Sequence, residues 1–270
     1  MLGFFYAIPP AAFLFVALAL AISFAAAGQT YVHRLFNPQD FIAHNEVGGI
    51  LIAVSGTLYA VVLGFLTVIV WQHFVEARQI VVTEANGDID AWHSAVGLPA
   101  MVRTHVRNDM VQYANVMVRN EWPSMRAGAF DSAPAIIIMD AIDAAAGFVP
   151  ANSKESNAQV STLQELMIVH DARQERIEVN GNGVSWFEWL VLLIGAFAVV
   201  GFCWLFGLRN ARVQLVMTAA VVTITVATLV LLFELQFPFR SAIGIGPDAW
   251  NRAIVHIKEM QAGEMPDMRS

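Results

Sequence analysis

The sequence predicts an all-α integral membrane protein, with four transmembrane helices and a helical extramembrane domain between the second and the third. Three observations carry that expectation. The 270 residues are 57% hydrophobic and only 14% charged, against about 25% charged in ordinary soluble domains, and the mean hydropathy is +0.58. Four stretches nearly free of charge each approach the roughly 17–25 residues that cross a bilayer core. Between the second and third of them the chain turns polar, with 14 acidic and 8 basic residues from Gln72 to Ser185, and its apolar residues recur at helical spacing. The same figures exclude other classes. A net charge of −7 argues against nucleic acid, whose phosphates demand cations. A single cysteine, Cys203, forbids an intrachain disulfide and a Cys-rich zinc site.

The first span is expected over Ala11–Ala27, opened by Pro9 and Pro10. Ala25-Ala26-Ala27 has the small residues of a signal cleavage site, but no Lys or Arg precedes the apolar run, so a retained helix is the expectation. A polar link then covers Gly28–Glu46. The second span, Val47–Trp71, carries small residues at Gly49, Ala53, Gly56, Ala60 and Gly64, steps of three and four that share one helix face. Such a face lets helices approach closely or, in an assembly, lines a pore. Ser55, Thr57, Tyr59 and Thr67 add polar atoms, and hydroxyls in a span commonly bond their own backbone.

Beyond Trp71 the helix is expected to run on, since Phe74, Val81, Ala85, Ile89 and Trp92 keep its period until Leu98-Pro99 breaks it. A second helix through Val102, Val106, Met110, Tyr113 and Met117 should end near Glu121-Trp122, because Pro123 follows. Ser132 is placed to cap a third helix that Gly147 closes. Ala151–Ala158 reads as a loop, Val160–Val179 as a fourth helix and Asn180-Gly181-Asn182-Gly183 as a turn. Trp186–Phe206 and Val213–Phe233 are the last two spans. A short helix, Asp248–Gln261, follows in the tail, with a frayed end beyond it. The expected domains are therefore residues 1–71, 72–185, 186–233 and 234–270.

Four spans put both termini and the central domain on one face. That side offers Arg78, Arg173, Arg176, Arg240 and Arg252, and the link side Arg34, Arg209 and Arg212. This tilts the expectation to a cytoplasmic domain. His44, Asn45 and Glu46 precede the second span, and Arg209, Asn210 and Arg212 join the third to the fourth. Both groups read as caps and interfacial anchors or, in a ring of subunits, as a pore mouth where Glu46 could pair with Arg209 or Arg212. Glu188 and Glu234 stand at the opposite edge, Glu234 turned to water or to a neighbouring chain.

No nucleophile elbow, phosphate loop, zinc-protease helix or dinucleotide fingerprint is present, so no enzyme and no cofactor is expected. His73 with Glu76, the group Asp88, Asp90 and His93, and Glu175 near His170-Asp171 lack the paired motifs of a metal bundle and read as solvated helix faces.

Several short pieces together resemble a bacterial family catalogued as a domain of unknown function and described as bestrophin-like. They are His44-Asn45-Glu46-Val47-Gly48-Gly49 with Gly56, Tyr59, Val61, Leu63 and Phe65 beyond it, Glu121-Trp122-Pro123, Phe206-Gly207-Leu208-Arg209-Asn210, Gln214-Leu215-Val216-Met217-Thr218-Ala219 and Phe237-Pro238-Phe239-Arg240. The likeness covers about residues 10 to 257, in order. It implies a bacterial inner-membrane protein similar to bestrophins, which are pentameric anion channels with four spans and a helical cytoplasmic region. The chain carries no spaced Phe/Ile neck triplet and no acidic cluster like the calcium clasp of the animal members.

Two function classes follow. One is an oligomeric ion channel, passing an inorganic ion along the second span. The other is a non-conducting membrane scaffold or sensor whose acidic helical domain binds a protein partner. Neither paired broken helices nor an inverted repeat marks a transporter.

Overall fold

The computed structural model describes residues 6, 8–36, 38–208 and 210–264. Every regular element among them is helical: α1 (Pro10–Leu35), α2 (Pro38–Ser94) with a 3-10 turn at Ala95–Gly97, α3 (Ala100–Val116), α4 (Trp122–Arg126), α5 (Ala133–Ala146), α6 (Ser153–Gly181), α7 (Trp186–Trp204), α8 (Ala211–Leu235) and α9 (Asp248–Glu264). Among the described residues four helices are long and apolar enough to cross a membrane: α1, the His44–Gly97 stretch that holds most of α2, α7 and α8.

The chain divides into two compact units. The first holds the chain up to His73, Gly183–Gln236 and Ser241–Ile243; the second holds Phe74–Asn182, Phe237–Arg240 and the chain from Gly244 onward.

In the first unit α1 packs against α8 and α7. Gly28 makes this approach possible, since a Cβ there would lie 2.3 Å from the Trp204 ring. Ala25 and Gln29 are the buried residues of α1, so Ala25-Ala26-Ala27 lies inside a packed helix. Phe233 of α8 stacks on Tyr6 at 4.9 Å between ring centroids. Most large apolar side chains on these helices, among them Phe15, Leu58, Phe65 and Ile224, stay exposed. Water would penalise so wide an apolar surface, whereas lipid or another protein surface removes the penalty. α7 opens on a capping box: Glu188 N–H donates to Ser185 Oγ and the Glu188 carboxylate accepts from Ser185 N–H.

The second unit is a helical bundle. α3 packs on α5 and on α9, and α5 packs on α6. Val106, Met110, Tyr113, Ile138, Ala141, Leu166, Val169 and Trp250 are completely buried in it, which removes apolar area from water at about 25 cal/mol per Å².

Several expectations are corrected here. The Gly28–Glu46 link is almost all helix: α1 runs to Leu35 and α2 starts at Pro38. Polarity alone does not stop a helix whose side chains find partners, as Thr30 does on the Ala26 carbonyl. Pro123 does not end the second helix of the central region. A π-helical turn at Met117–Glu121, where Trp122 N–H reaches back to the Met117 carbonyl, widens the helix enough to carry it into α4. The expected loop at Ala151–Ala158 is mostly the first turns of α6. Asn152 is its N-cap: its side chain accepts from Glu155 N–H at 3.0 Å, while Glu155 accepts from Ala151 N–H at 2.9 Å. α6 also runs on through Asn180-Gly181, leaving residues 182–185 non-helical. At α5 the capping bond comes from Asp131, which accepts from Ala133 N–H at 2.9 Å, and not from Ser132.

Candidate functional site

The second span presents two different faces. Tyr59 turns to α7, where a Cβ on Gly195 would lie 2.2 Å from its ring. Leu63 and Val70 are buried beside it. The small-residue stripe borders that face, Gly56 lying about 20° from Leu63 round the helix. Ala60 is one residue from Tyr59, about 100° round the helix, and a Cβ added at Gly49, Gly56 or Gly64 would meet nothing within 4 Å. Among the described residues the glycines of the stripe therefore pack against nothing, and Ala53, Ala60 and Gly64 are exposed. The hydroxyls of Ser55, Thr57 and Thr67 donate to the carbonyls of Leu51, Ala53 and Leu63 at 2.6, 2.7 and 2.8 Å. Each is satisfied by its own helix, so none needs a partner in lipid.

A second constellation closes the end of α7. A helix C-terminus leaves carbonyls without intrahelical partners, and in a membrane water is absent to solvate them. Here side chains from three helices supply the donors. Asn45 of α2 donates to the Gly207 carbonyl at 2.8 Å and accepts from Gly207 N–H at 3.1 Å. Gln214 of α8 donates to the Phe206 carbonyl at 2.5 Å and lies 3.4 Å from that of Cys203. His33 Nε2 of α1 lies 3.2 Å from the Trp204 carbonyl, to which it donates in its Nε2–H tautomer. Below them Thr218 donates to Gln29 at 3.1 Å, both buried. Gly48 places its backbone against Phe206, whose ring a Cβ would meet at 3.8 Å.

Asn45 therefore lies inside α2, holding the turn after α7 rather than capping a span, with His44 and Glu46 exposed beside it. Asn210 is the N-cap of α8, accepting from Arg212 N–H at 3.0 Å. Arg212 is exposed, and among the described residues it makes no ion pair with Glu46. Arg209 lies outside the described residues. Glu234 faces neither water nor a neighbouring chain: it is buried and accepts a short hydrogen bond from Ser241 Oγ.

The second unit holds a buried ionic network that sequence reasoning missed. Arg176 binds Glu84 through two bonds, Nε at 2.6 Å and Nη2 at 3.1 Å. Tyr113 also donates to Glu84, at 2.6 Å. The wide π turn buries Glu121 and Trp122 in succession, and Glu121 meets Arg173 and Arg176, each at 3.3 Å. Arg173 and Arg176 balance Glu84 and Glu121. Burial opposes the charge on Arg176, yet the Glu84 carboxylate outweighs it and raises the guanidinium above its ordinary range. Burial first, then Glu84, hold the Tyr113 hydroxyl well above its ordinary range. Asp88, one turn after Glu84, is also completely buried, with no hydrogen bond to either oxygen. Burial first, then the Glu84 charge, push it well above the ordinary carboxylate range. The expectation of a solvated face fails for Asp88 and holds for His73, Glu76, Asp90 and His93, which are exposed.

The resembling sequence pieces meet in pairs. Asn45 of the first closes on Gly207 of the third, and Gln214 of the next closes on Phe206. Trp122 meets Phe239 edge-on at 5.8 Å, and its indole N–H donates to the Ile245 carbonyl. Arg240 donates to the Asn180 carbonyl at 2.7 Å and lies over Gly128, whose φ of +80° only glycine adopts freely. Within each unit, pieces that are dispersed in the sequence thus meet in space.

The profile of the bestrophin-like domain matches residues 19–250. The chain belongs to the bestrophin-like family. Solved structures give the same fold. A bacterial bestrophin homologue from Klebsiella pneumoniae, carrying a leucine-to-threonine mutation, is similar with a TM-score of 0.70 over 90% of this chain and 98% of its own, at 12% identity. Another crystal structure of a bestrophin homologue from that organism gives a TM-score of 0.67 over 92% and 99%, at 15% identity. A membrane protein with a leucine-to-alanine mutation gives 0.69 over 92% and 98%, at 16% identity. No curated protein matches in sequence. This bestrophin-like chain is an all-helical integral membrane protein with the bestrophin fold.

Proposed function

We propose that the protein is the repeating subunit of an oligomeric ion channel that conducts an inorganic ion through the lipid bilayer. The observation that carries the reading is the open face of the second span: among the described residues a Cβ at Gly49, Gly56 or Gly64 would meet nothing within 4 Å, and Ala53 and Ala60 are exposed. Thr57 and Thr67 edge that face, whereas Ser55 and Tyr59 turn away from it. In a ring of subunits, small residues and self-satisfied hydroxyls leave room for a narrow path that apolar stretches gate by dewetting. Arg209, Asn210 and Arg212, with His44, Asn45 and Glu46, form its mouth, and the arginines favour anions there. A pentamer follows from the family likeness. Residues 72–185 form the water-exposed domain, on the cytoplasmic side of a bacterial inner membrane with both termini, between the span pairs 1–71 and 186–233, with 234–270 as the tail.

The test is reconstitution into liposomes, with chloride flux measured against potassium flux and protein-free vesicles as the blank. Selective flux that is abolished in Gly56→Leu supports the reading. Unchanged flux and assembly in that variant refute any role for the face. No flux from folded, oligomeric protein favours the scaffold reading, in which residues 72–185 bind a protein partner.

A further inference from the structure

We propose that His105, Asp109 and Asp140 form a binding site for a zinc-class divalent cation on the helical unit. His105 and Asp109 stand one turn apart on α3 and so share a face, and Asp140 faces them from α5. The two helices are packed tightly: Val106 and Met110 on one, Ile138 and Ala141 on the other, are completely buried. The core therefore fixes where the three side chains start, which is what a metal site requires of its scaffold.

The geometry fits a small tetrahedral ion. His105 Nε2 lies 3.3 Å from Asp109 Oδ2 and 3.1 Å from Asp140 Oδ2. All three ligand atoms lie within 4.8 Å of one another. Zinc bonds to nitrogen and oxygen are about 2.0–2.2 Å long, and a tetrahedron with such bonds has edges of about 3.3 Å. Two edges of the coordination shell are thus already set.

Asp109 supplies an independent reason for a cation. It is only 9% exposed, and its Oδ2 accepts no hydrogen bond, the 3.3 Å contact with His105 Nε2 not forming one. A buried carboxylate oxygen without a donor is costly. One Nε2–H cannot aim at two carboxylates, whereas a metal ion bonds all three atoms at once. A divalent charge at their centre reverses the repulsion between the two aspartates. His105 and Asp140 are exposed, so an ion reaches the site from solvent and a water completes its coordination. One imidazole with two carboxylates suits zinc better than calcium or magnesium, which favour oxygen alone.

The experiment uses the full-length protein in lipid nanodiscs, stripped of metal with a chelator. Zn²⁺ is titrated calorimetrically in excess Mg²⁺ into wild type, Asp140→Asn and His105→Gln. Co²⁺ replaces it in a parallel series that reads the visible d–d absorption. The proposal expects one Zn²⁺ per chain, binding at least tenfold weaker in each variant, and a tetrahedral cobalt spectrum that both variants lose. No binding in wild type, displacement of Zn²⁺ by the excess Mg²⁺, or binding that neither variant weakens overturns it. Both side chains are exposed at the surface, so the variants keep the fold, which their elution volume and melting temperature check.

Discussion

The two stretches of α2 are built on opposite principles. Up to Trp71 its large apolar side chains point mostly outward, the hydroxyls of Ser55, Thr57 and Thr67 bond their own backbone, and Gly49, Gly56 and Gly64 face open space. From Phe74 onward the same helix buries Phe74, Ala77, Val81, Ala85 and Trp92, and places two carboxyl groups, Glu84 and Asp88, completely inside the fold. The second stretch is finished by its own chain. The first leaves wide apolar surface outside its own chain, as a helix that crosses lipid does. A residue's polarity therefore says less about its exposure than which of the two stretches it belongs to.

The harshest way to break the comparison is at the inner network. Arg176→Ala leaves Glu84 and Glu121 buried beside each other without their shared cation. Removing one partner of a buried ion pair costs about 3–5 kcal/mol. The expected result is loss of the folded helical unit, read as a collapse of the melting temperature, and a variant that melts like wild type contradicts the network's role.

Glycine substitutions sharpen the contrast. Gly28→Leu drives a side chain into Trp204 and Gly195→Leu drives one into Tyr59, and overpacking of this kind costs about 1–3 kcal/mol. Gly56→Leu starts from a position where a Cβ meets nothing within 4 Å outside its own helix. It should leave the monomer's thermal stability unchanged in detergent while altering assembly or flux, with heated size-exclusion profiles separating the two effects.

Asn45→Ala is the next test in size. It removes a donor and an acceptor from Gly207, and a buried polar group left unsatisfied costs about 1–3 kcal/mol. The melting temperature should fall without any change in subunit number.

The smallest effect concerns pH. The folded state holds the Asp88 carboxyl well above its ordinary value of 3.8, so it binds a proton that the unfolded chain releases. Its contribution to stability is full below that ordinary value and is lost as pH rises towards the folded value. Asp88→Asn mimics the neutral acid. It should raise the melting temperature at neutral pH and flatten its decline between acid and neutral solution, whereas a parallel pH profile contradicts a neutral Asp88.

The sequence made the spans legible because length and lack of charge are sufficient signals for crossing a bilayer. The spacing of the small residues was equally plain, whereas what covers them is not written in the spacing. Three features were not, each for a physical reason. Residues 28–46 look like a loop because they are polar, yet Gln29, His33 and Asn45 are polar in order to serve Thr218, Trp204 and Gly207, far along the chain. Pro123 looks like a terminator because nothing in the sequence announces the π turn that relieves it. Asp88 and Glu234 look like surface residues because burial of a carboxyl is decided by distant helices. His105 and Asp140, 35 positions apart, meet only because α3 packs on α5.

The central claim is that the stripe on the second span borders an aqueous path in the assembled protein. Cysteines placed singly at Gly56 and Gly64, and at the outward Leu58 as control, in a Cys203→Ala background, test it most directly with a charged thiol reagent during liposome flux. The account predicts that Gly56→Cys and Gly64→Cys are modified and that modification blocks flux, while Leu58→Cys is not modified. Stripe cysteines that escape the reagent, or that react without any change in flux, would contradict it.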